Sequence, residues 1–176
     1  RISAHFDNDN WQAMANAPLV KMGENSIHAF ALNAGTTGNA IRLETGLDAF
    51  SSGSFQLYKT SISGDIAGNK INLLLNITDK NQKDKYRLGA ELAHPSQGEY
   101  TLSLRSDSLM LNYDPWTVDP GNRIRFDQGG LNIHQFALQK SGQQLLLNSA
   151  SAESNAPLEI RFDQFRIATI TAIAAQ

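Results

Sequence analysis

The stretch KINLLLNIT at residues 70–78 decides the fold, because apolar and polar side chains alternate along it. Its apolar residues Ile71, Leu73, Leu75 and Ile77 occupy every second position. Successive side chains of a β-strand point to opposite faces, whereas a helix would place its apolar residues three and four positions apart. This stretch therefore predicts a strand with one apolar face.

The same period of two continues on both sides of the polar turn DKNQKDK and the loop HPSQGE, which predicts a ladder of hairpins. It extends to the last strand, near residue 162, with a change of phase before Phe136. One inserted residue changes the phase in this way, so we predict a β-bulge near His134 or Gln135. The fold class is all-β, and alternation alone fits either a closed β-sandwich or one curved sheet whose lining stays open.

The pattern is weaker before residue 70. We predict strands around residues 27–32, 40–44, 55–60 and 62–66, and a helical turn at residues 11–17.

Two segments of the chain repeat each other. IHAFAL at residues 27–32 returns as IHQFAL at residues 133–138, and Trp11 and Trp116 stand upstream at similar distances. We therefore predict a single elongated β domain over residues 1–176, made of two modules of about residues 1–105 and 106–176, the second truncated. Packing between modules is the favoured role of the two tryptophans, ahead of stacking on a sugar or a nucleobase.

Composition excludes several classes of function. The formal net charge is −2, without the basic excess that nucleic-acid binding requires. The sequence has no cysteine and no run of about 20 apolar residues. It begins at Arg1 without a leader segment, so we expect a fragment of a larger protein.

No arrangement of catalytic residues is evident, so we expect neither an enzyme nor a cofactor. The four histidines lack metal-ligand spacing, and a structural place for His28 and His134 on the polar side of a strand is favoured. Asp114 and Asp119 precede prolines, which favours turns over an acid–base pair.

The segment WTVDPGNRIRFDQGGLNIHQFALQKSGQQLLLNS, residues 116–149, resembles the recurring unit of the TamB family in the AsmA-like superfamily. The resemblance lies in the order of its parts: a tryptophan, a polar turn, a short strand, a glycine turn, a strand, GQ and a strand. It implies one long, curved, mostly antiparallel sheet folded into a U-shaped trough with an apolar interior, and a closed sandwich is the alternative. The predicted lining comprises Ile71, Leu73, Leu75, Ile77, Tyr86, Leu88, Leu92, Tyr100, Leu102, Leu104, Leu109, Leu111, Ile124, Phe126, Leu131, Ile133, Phe136, Leu138, Leu145, Leu147, Leu158, Ile160 and Phe162.

The resemblance also implies a location and partners. The chain would be a periplasmic portion of an inner-membrane-anchored protein of Gram-negative bacteria, and the full-length protein would bind the outer-membrane barrel TamA. The implied roles are carrying a phospholipid or another amphiphile, and assisting the assembly of outer-membrane proteins such as autotransporters. A chaperone-like module that binds unfolded β-strand clients by edge pairing is the alternative. A structural spacer or a carbohydrate-binding sandwich is a third possibility.

Overall fold

The computed structural model describes residues 1–7, 10–166, 168, 169 and 171. Its strands are β1 (Ile2–Asp7), β2 (Asn10–Met22), β3 (Asn25–Thr37), β4 (Ala40–Leu47), β5 (Ala49–Ser52), β6 (Phe55–Leu57), β7 (Thr60–Ala67), β8 (Lys70–Thr78), β9 (Asp84–Ser96), β10 (Glu99–Leu111), β11 (Asp114–Pro115), β12 (Thr117–Val118), β13 (Arg123–Asp127), β14 (Gly130–His134), β15 (Phe136–Lys140), β16 (Gln143–Ser149) and β17 (Leu158–Asp163). The predicted all-β, mostly antiparallel fold is confirmed. Thirteen strands form a large sheet and four form a small sheet.

The chain divides into two compact units, unit 1 (Arg1–Arg87) and unit 2 (Leu88–Ala175). In unit 1 the strand order is β1-β2-β3-β4-β7-β8, with β5 paired to β3 and β6. In unit 2 the large sheet has the order β9-β10-β13-β14, and the small sheet has the order β12-β15-β16-β17. The strand pairs whose register the structure defines are all antiparallel, as short connections between consecutive strands require.

Two-residue turns set the length of the strands in unit 1. Gly23, Gly38, Gly53 and Gly68 recur every 15 residues and have φ values of 58–61°. Tight hairpin turns need a positive φ, and glycine adopts it without the clash that a Cβ would cause. The spacing of these glycines therefore fixes each strand and its register with the next.

Three adjacent strands of unit 1, β2, β3 and β4, are interrupted at one level. Ala29 has a φ of 52°, and β3 pairs with β5 on one side of it and with β4 on the other. Pro18 of β2 lies opposite Ala29 of β3. Proline has no backbone N–H, and at this position no hydrogen bond between the strands is lost because of it. Asp48 follows β4, and its N–H donates to the carbonyl of His28 at 2.9 Å. The apolar positions change phase at this level in each strand.

The second copy of this motif corrects the predicted bulge at His134 or Gln135. Gln135, the counterpart of Ala29, has a φ of 49°, but it lies between β14 of the large sheet and β15 of the small sheet. The change of phase thus marks the passage of the chain from one sheet to another.

The predicted helical turn at residues 11–17 is wrong. These residues lie in β2, where Trp11, Ala13, Ala15 and Ala17 are half-buried and the residues between them are exposed. Alanine is a strong helix former, which favours a helix locally, but pairing with β1 and β3 imposes the period of two.

Unit 2 contains the buried core of the described chain. Leu109, Trp116 and Val118 are 6%, 3% and 2% exposed, and Leu88, Leu104, Leu111, Leu138 and Phe165 pack against them. Asn122, 2% exposed, acts as a strand partner for Leu104: its Oδ1 accepts from Leu104 N at 2.8 Å, and its Nδ2 donates to Leu104 O at 2.8 Å. In this core, apolar side chains of the large sheet pack against apolar side chains of the small sheet.

Candidate functional site

The strand register of unit 1 gathers its apolar residues onto one side of the sheet. Residues paired across strands share a face, and so do alternate residues within a strand. The resulting set, the unit 1 apolar face, comprises Ile2, Ala4, Phe6, Trp11, Ala13, Ala15, Ala17, Phe30, Leu32, Ala34, Thr36, Ile41, Leu43, Thr45, Leu47, Thr60, Ile62, Gly64, Ile66, Ile71, Leu73, Leu75 and Ile77. The opposite side is largely polar; on it, for example, Asn72 Nδ2 donates to Asp65 Oδ2 at 3.0 Å.

No described residue of unit 1 covers this face, and its side chains are half-buried or exposed. Among residues 1–7 and 10–87 no apolar side chain is buried. Ile2 and Phe6 on β1 are 87% and 74% exposed, and Ile62 and Ile66 on β7 are 37% and 38% exposed. Six strands at about 4.8 Å spacing, with four positions each at steps of about 6.8 Å, give a footprint on the order of 500 Å². A contiguous apolar patch of this size matches the largest patch of a typical monomer, and such patches are often functional.

Four of the predicted lining residues lie on this face, namely Ile71, Leu73, Leu75 and Ile77 of β8. Tyr86 lies in β9 and is half-buried. The prediction did not include the contribution of β1 to β7, which supplies most of the face. The 15-residue spacing of glycines is the signal that could have found it.

In unit 2 the predicted lining divides between core and surface. Leu88, Leu104, Leu109, Leu111 and Leu138 pack around Trp116 and Val118. The phase of β10 changes between Leu104 and Leu109, yet both residues join this cluster. Leu92 lies further along β9 and is half-buried. These side chains are therefore covered by other residues of unit 2.

The surface part of the lining in unit 2 follows two cross-strand rows of the large sheet. Tyr100 pairs with Phe126, which pairs with Leu131, and Leu102, Ile124 and Ile133 form the next row. Tyr100 and Phe126 are 48% and 43% exposed, whereas Ile133 is buried. The row that contains Tyr100 and Phe126 is therefore more exposed to solvent than the row that contains Ile133.

The small sheet also has one apolar face. Phe136, Leu147 and Ile160 form one row, and Leu138, Leu145 and Phe162 form the next. Leu158, Ile160 and Phe162 on the edge strand β17 are 46–57% exposed. Phe165 contacts both Phe162 and Trp116, with ring centroids 5.6 and 5.9 Å apart, so it covers one end of this face.

Several charged groups in the described chain serve local structure. Asp119 has the predicted turn role, since its Oδ1 accepts from Gly121 N at 2.7 Å. The hydrogen bond from the Ser154 hydroxyl is the main cause that lowers the pKa of Asp127, with the Gly129 N–H and Arg125 contributing.

Among the described residues, no group of three or more His, Asp or Glu side chains could hold a metal ion. Within the same residues, no helix has the length and hydropathy to span a membrane.

Comparison with known proteins adds no relative. No protein-family model matches the chain, and neither a curated protein nor a solved structure matches it.

Proposed function

We propose that the chain is a non-enzymatic binding module whose unit 1 apolar face holds the acyl chains of a phospholipid or a similar amphiphile. One observation carries this proposal: six strands place their apolar side chains on one face that no described residue of unit 1 covers. Water in contact with that face is displaced favourably by any acyl chain that lies on it.

The energy of such contact is sufficient for capture. Burial of an acyl chain contributes about 0.8 kcal/mol per CH₂, so a chain of about 16 carbons gains on the order of 12 kcal/mol when fully covered and roughly half that on an open face. The face consists of aliphatic, aromatic and small side chains, with Thr36, Thr45 and Thr60 as its hydroxyl-bearing members. It therefore favours apolar contact over recognition of a defined head group.

The proposal agrees with the resemblance to the TamB family of the AsmA-like superfamily. On this reading the chain is a periplasmic part of an inner-membrane-anchored protein of Gram-negative bacteria. Its sheet is part of a trough that shields or conducts acyl chains, and the full-length protein has the barrel TamA as its partner. Assistance in assembling outer-membrane proteins is the associated role.

A matched pair of variants on β7 tests the proposal. Ile62→Arg places a charge on the unit 1 apolar face, whereas Ser61→Arg places the same charge on the adjacent residue of the other face. Both positions are exposed, so both variants should fold. We expect Ile62→Arg to abolish binding of a fluorescent fatty acid and to reduce phospholipid that co-purifies, as measured by mass spectrometry. Equal binding by the two variants would contradict the proposal.

A second candidate function is the binding of an unfolded β-strand client at the edge of the sheet. Within the described strands β1 pairs with β2 alone, so its other edge is open to strand addition. The outer edge of β14 differs, because its N–H groups are already bonded. Asn155, Ser149 and Asn148 accept from the N–H groups of Leu131, Ile133 and Gln135 at 3.1, 2.9 and 3.0 Å.

Photo-crosslinkers separate the two candidates. A crosslinker at Ser3 on β1 should capture peptide if clients add to this edge, and one at Ile62 should capture lipid if acyl chains bind to the face. Capture of peptide at Ser3 without lipid at Ile62 would favour the second candidate.

A further inference from the structure

A cationic cavity lies in unit 2, on the polar side of β13 and β14. Its volume is about 350 Å³, and Arg123, Arg125, Asn132, His134, Ser149 and Ser151 line it together with Ile133 and Ala152. This volume is at the lower end of the range for small-molecule sites. The lining contains two arginines and no residue with a carboxylate. Its charge and size suit a small anion.

The hairpin of β13 and β14 brings the cationic residues together. Arg123 pairs with His134 and Arg125 pairs with Asn132, so the four side chains share one face. Ile124, which lies between the two arginines, points to the other face. The cavity therefore lies on the polar side of the hairpin, although Ile133 of the apolar rows also borders it, and it does not depend on the proposed function.

The two arginines differ in their bonding. Arg125 is half-buried, and its guanidinium already has partners. It forms an ion pair with Asp127 at 3.3 Å and donates to Ala152 O at 2.9 Å and to Ser154 Oγ at 3.3 Å. Arg123 is exposed and makes neither a hydrogen bond nor an ion pair with any described residue. Its positive charge is thus available to a ligand.

A buried hydroxyl supplies a second donor. Ser149 is 8% exposed, and its Oγ accepts from the N–H of Ile133 at 2.9 Å. That bond uses the hydroxyl oxygen and leaves its hydrogen without an acceptor among the described residues. Ser151, at the rim, likewise accepts from Glu153 N at 3.4 Å. A buried hydroxyl hydrogen without an acceptor is costly, which favours a bound acceptor in the cavity.

We propose that this cavity binds a phosphate-type oxyanion. The Arg123 guanidinium pairs with two of its oxygens, because the planar fork of an arginine matches that geometry. Ser149 donates to a third oxygen, and a ring N–H of His134 approaches from the adjacent strand, since either tautomer carries one. This chemistry is shared by the phosphodiester of a lipid head group and by free phosphate.

An NMR titration of the full chain with inorganic phosphate at constant ionic strength tests the site. We expect saturable shifts of the amides of Arg123, His134 and Ser149 to Ala152. Arg123→Gln should weaken the affinity by about tenfold or more, since a hydrogen bond to a charged group contributes about 1.5–3 kcal/mol. Arg161→Gln, a matched loss of an exposed arginine on β17, should leave the affinity unchanged.

The outcomes are distinct. Arg123→Lys, which keeps the charge but loses the fork, should fall between the parent chain and Arg123→Gln. Shifts that do not saturate, or that are equal in Arg123→Gln and Arg161→Gln, would overturn the proposal. A second titration with glycerophosphoglycerol, a soluble phosphodiester, separates the sources: affinity at least equal to that for phosphate indicates a lipid head group, and a lower affinity indicates free phosphate. Neither probe has an acyl chain, so the result is independent of acyl binding by unit 1.

Discussion

Unit 1 and unit 2 are built from the same kind of alternating strand, yet unit 1 leaves its apolar face uncovered and unit 2 encloses a core. The difference arises from residues that do not take part in long strands. In unit 2, Trp116 lies between the short strands β11 and β12, and Phe165 follows β17. Both belong to the apolar cluster that contains Leu109 and Val118. Unit 1 has no such covering residues in its described part. Alternation therefore creates an apolar face, and the connecting segments decide whether it is covered.

The largest expected effect is that of a charge placed in each unit. Leu109→Arg puts a guanidinium among buried apolar side chains, and we expect it to unfold unit 2, at a cost above about 4 kcal/mol. Ile62→Arg, on the uncovered face of unit 1, should change the free energy of unfolding by less than about 1 kcal/mol. Urea denaturation followed by circular dichroism measures both. A similar cost for the two variants would break the comparison.

Removal of a buried side-chain amide should have the next largest effect. Asn122→Ala leaves the N–H and C=O of Leu104 without partners, and we expect a loss of about 3 kcal/mol from the free energy of unfolding. Asn33→Ala, at an exposed position of β3, is the control and should cost less than about 0.5 kcal/mol. If both substitutions cost the same, Asn122 does not act as a strand partner.

Substitution of a turn glycine in unit 1 should have a smaller effect on the free energy of unfolding. Gly53 has a φ of 58° and open space where a Cβ would lie, so Gly53→Ala incurs only the conformational cost of about 1–2 kcal/mol. Ser54→Ala in the same turn provides the comparison and should be close to neutral. Equal melting temperatures for the two variants would show that the positive φ does not define the turn.

The smallest expected effect concerns acid stability in unit 2. Because folding lowers the pKa of Asp127 from its ordinary value of 3.8, the carboxylate stabilises the folded chain above that value, and this contribution disappears as the pH falls through the folded pKa. Asp127→Asn should therefore reduce the dependence of the melting temperature on pH below about 4. Calorimetry over that range measures it, and identical curves for the parent and the variant would contradict the assignment.

Sequence alone predicts strands where both the period and the turns are evident. The prediction over residues 70–104 is confirmed as β8, β9 and β10, because the polar turns separate long alternating runs there. It fails at residues 11–17, where alanines favour a helix locally and pairing with neighbouring strands overrides them. The alternation could not predict that the unit 1 apolar face is uncovered, since a covered and an uncovered face have the same alternation.

The phase change at Gln135 shows another limit. A single residue out of phase is compatible with a bulge or with a crossing between sheets, and only the pairing partners distinguish them. Its counterpart Ala29 has a similar φ but remains within one strand. The repeat therefore preserves a local conformation and not the topology around it.

The exposure of the unit 1 apolar face to lipid is the central claim, and a spin-labelled phospholipid tests it most directly. With the nitroxide on its acyl chain, the lipid should broaden the methyl NMR signals of Ile62, Leu73 and Leu75. The methyl signals of Leu109 and Val118 in the core of unit 2 should keep their intensity. Equal broadening in both units, or no broadening at Ile62 at lipid concentrations that saturate a fluorescent fatty-acid site, would contradict the claim.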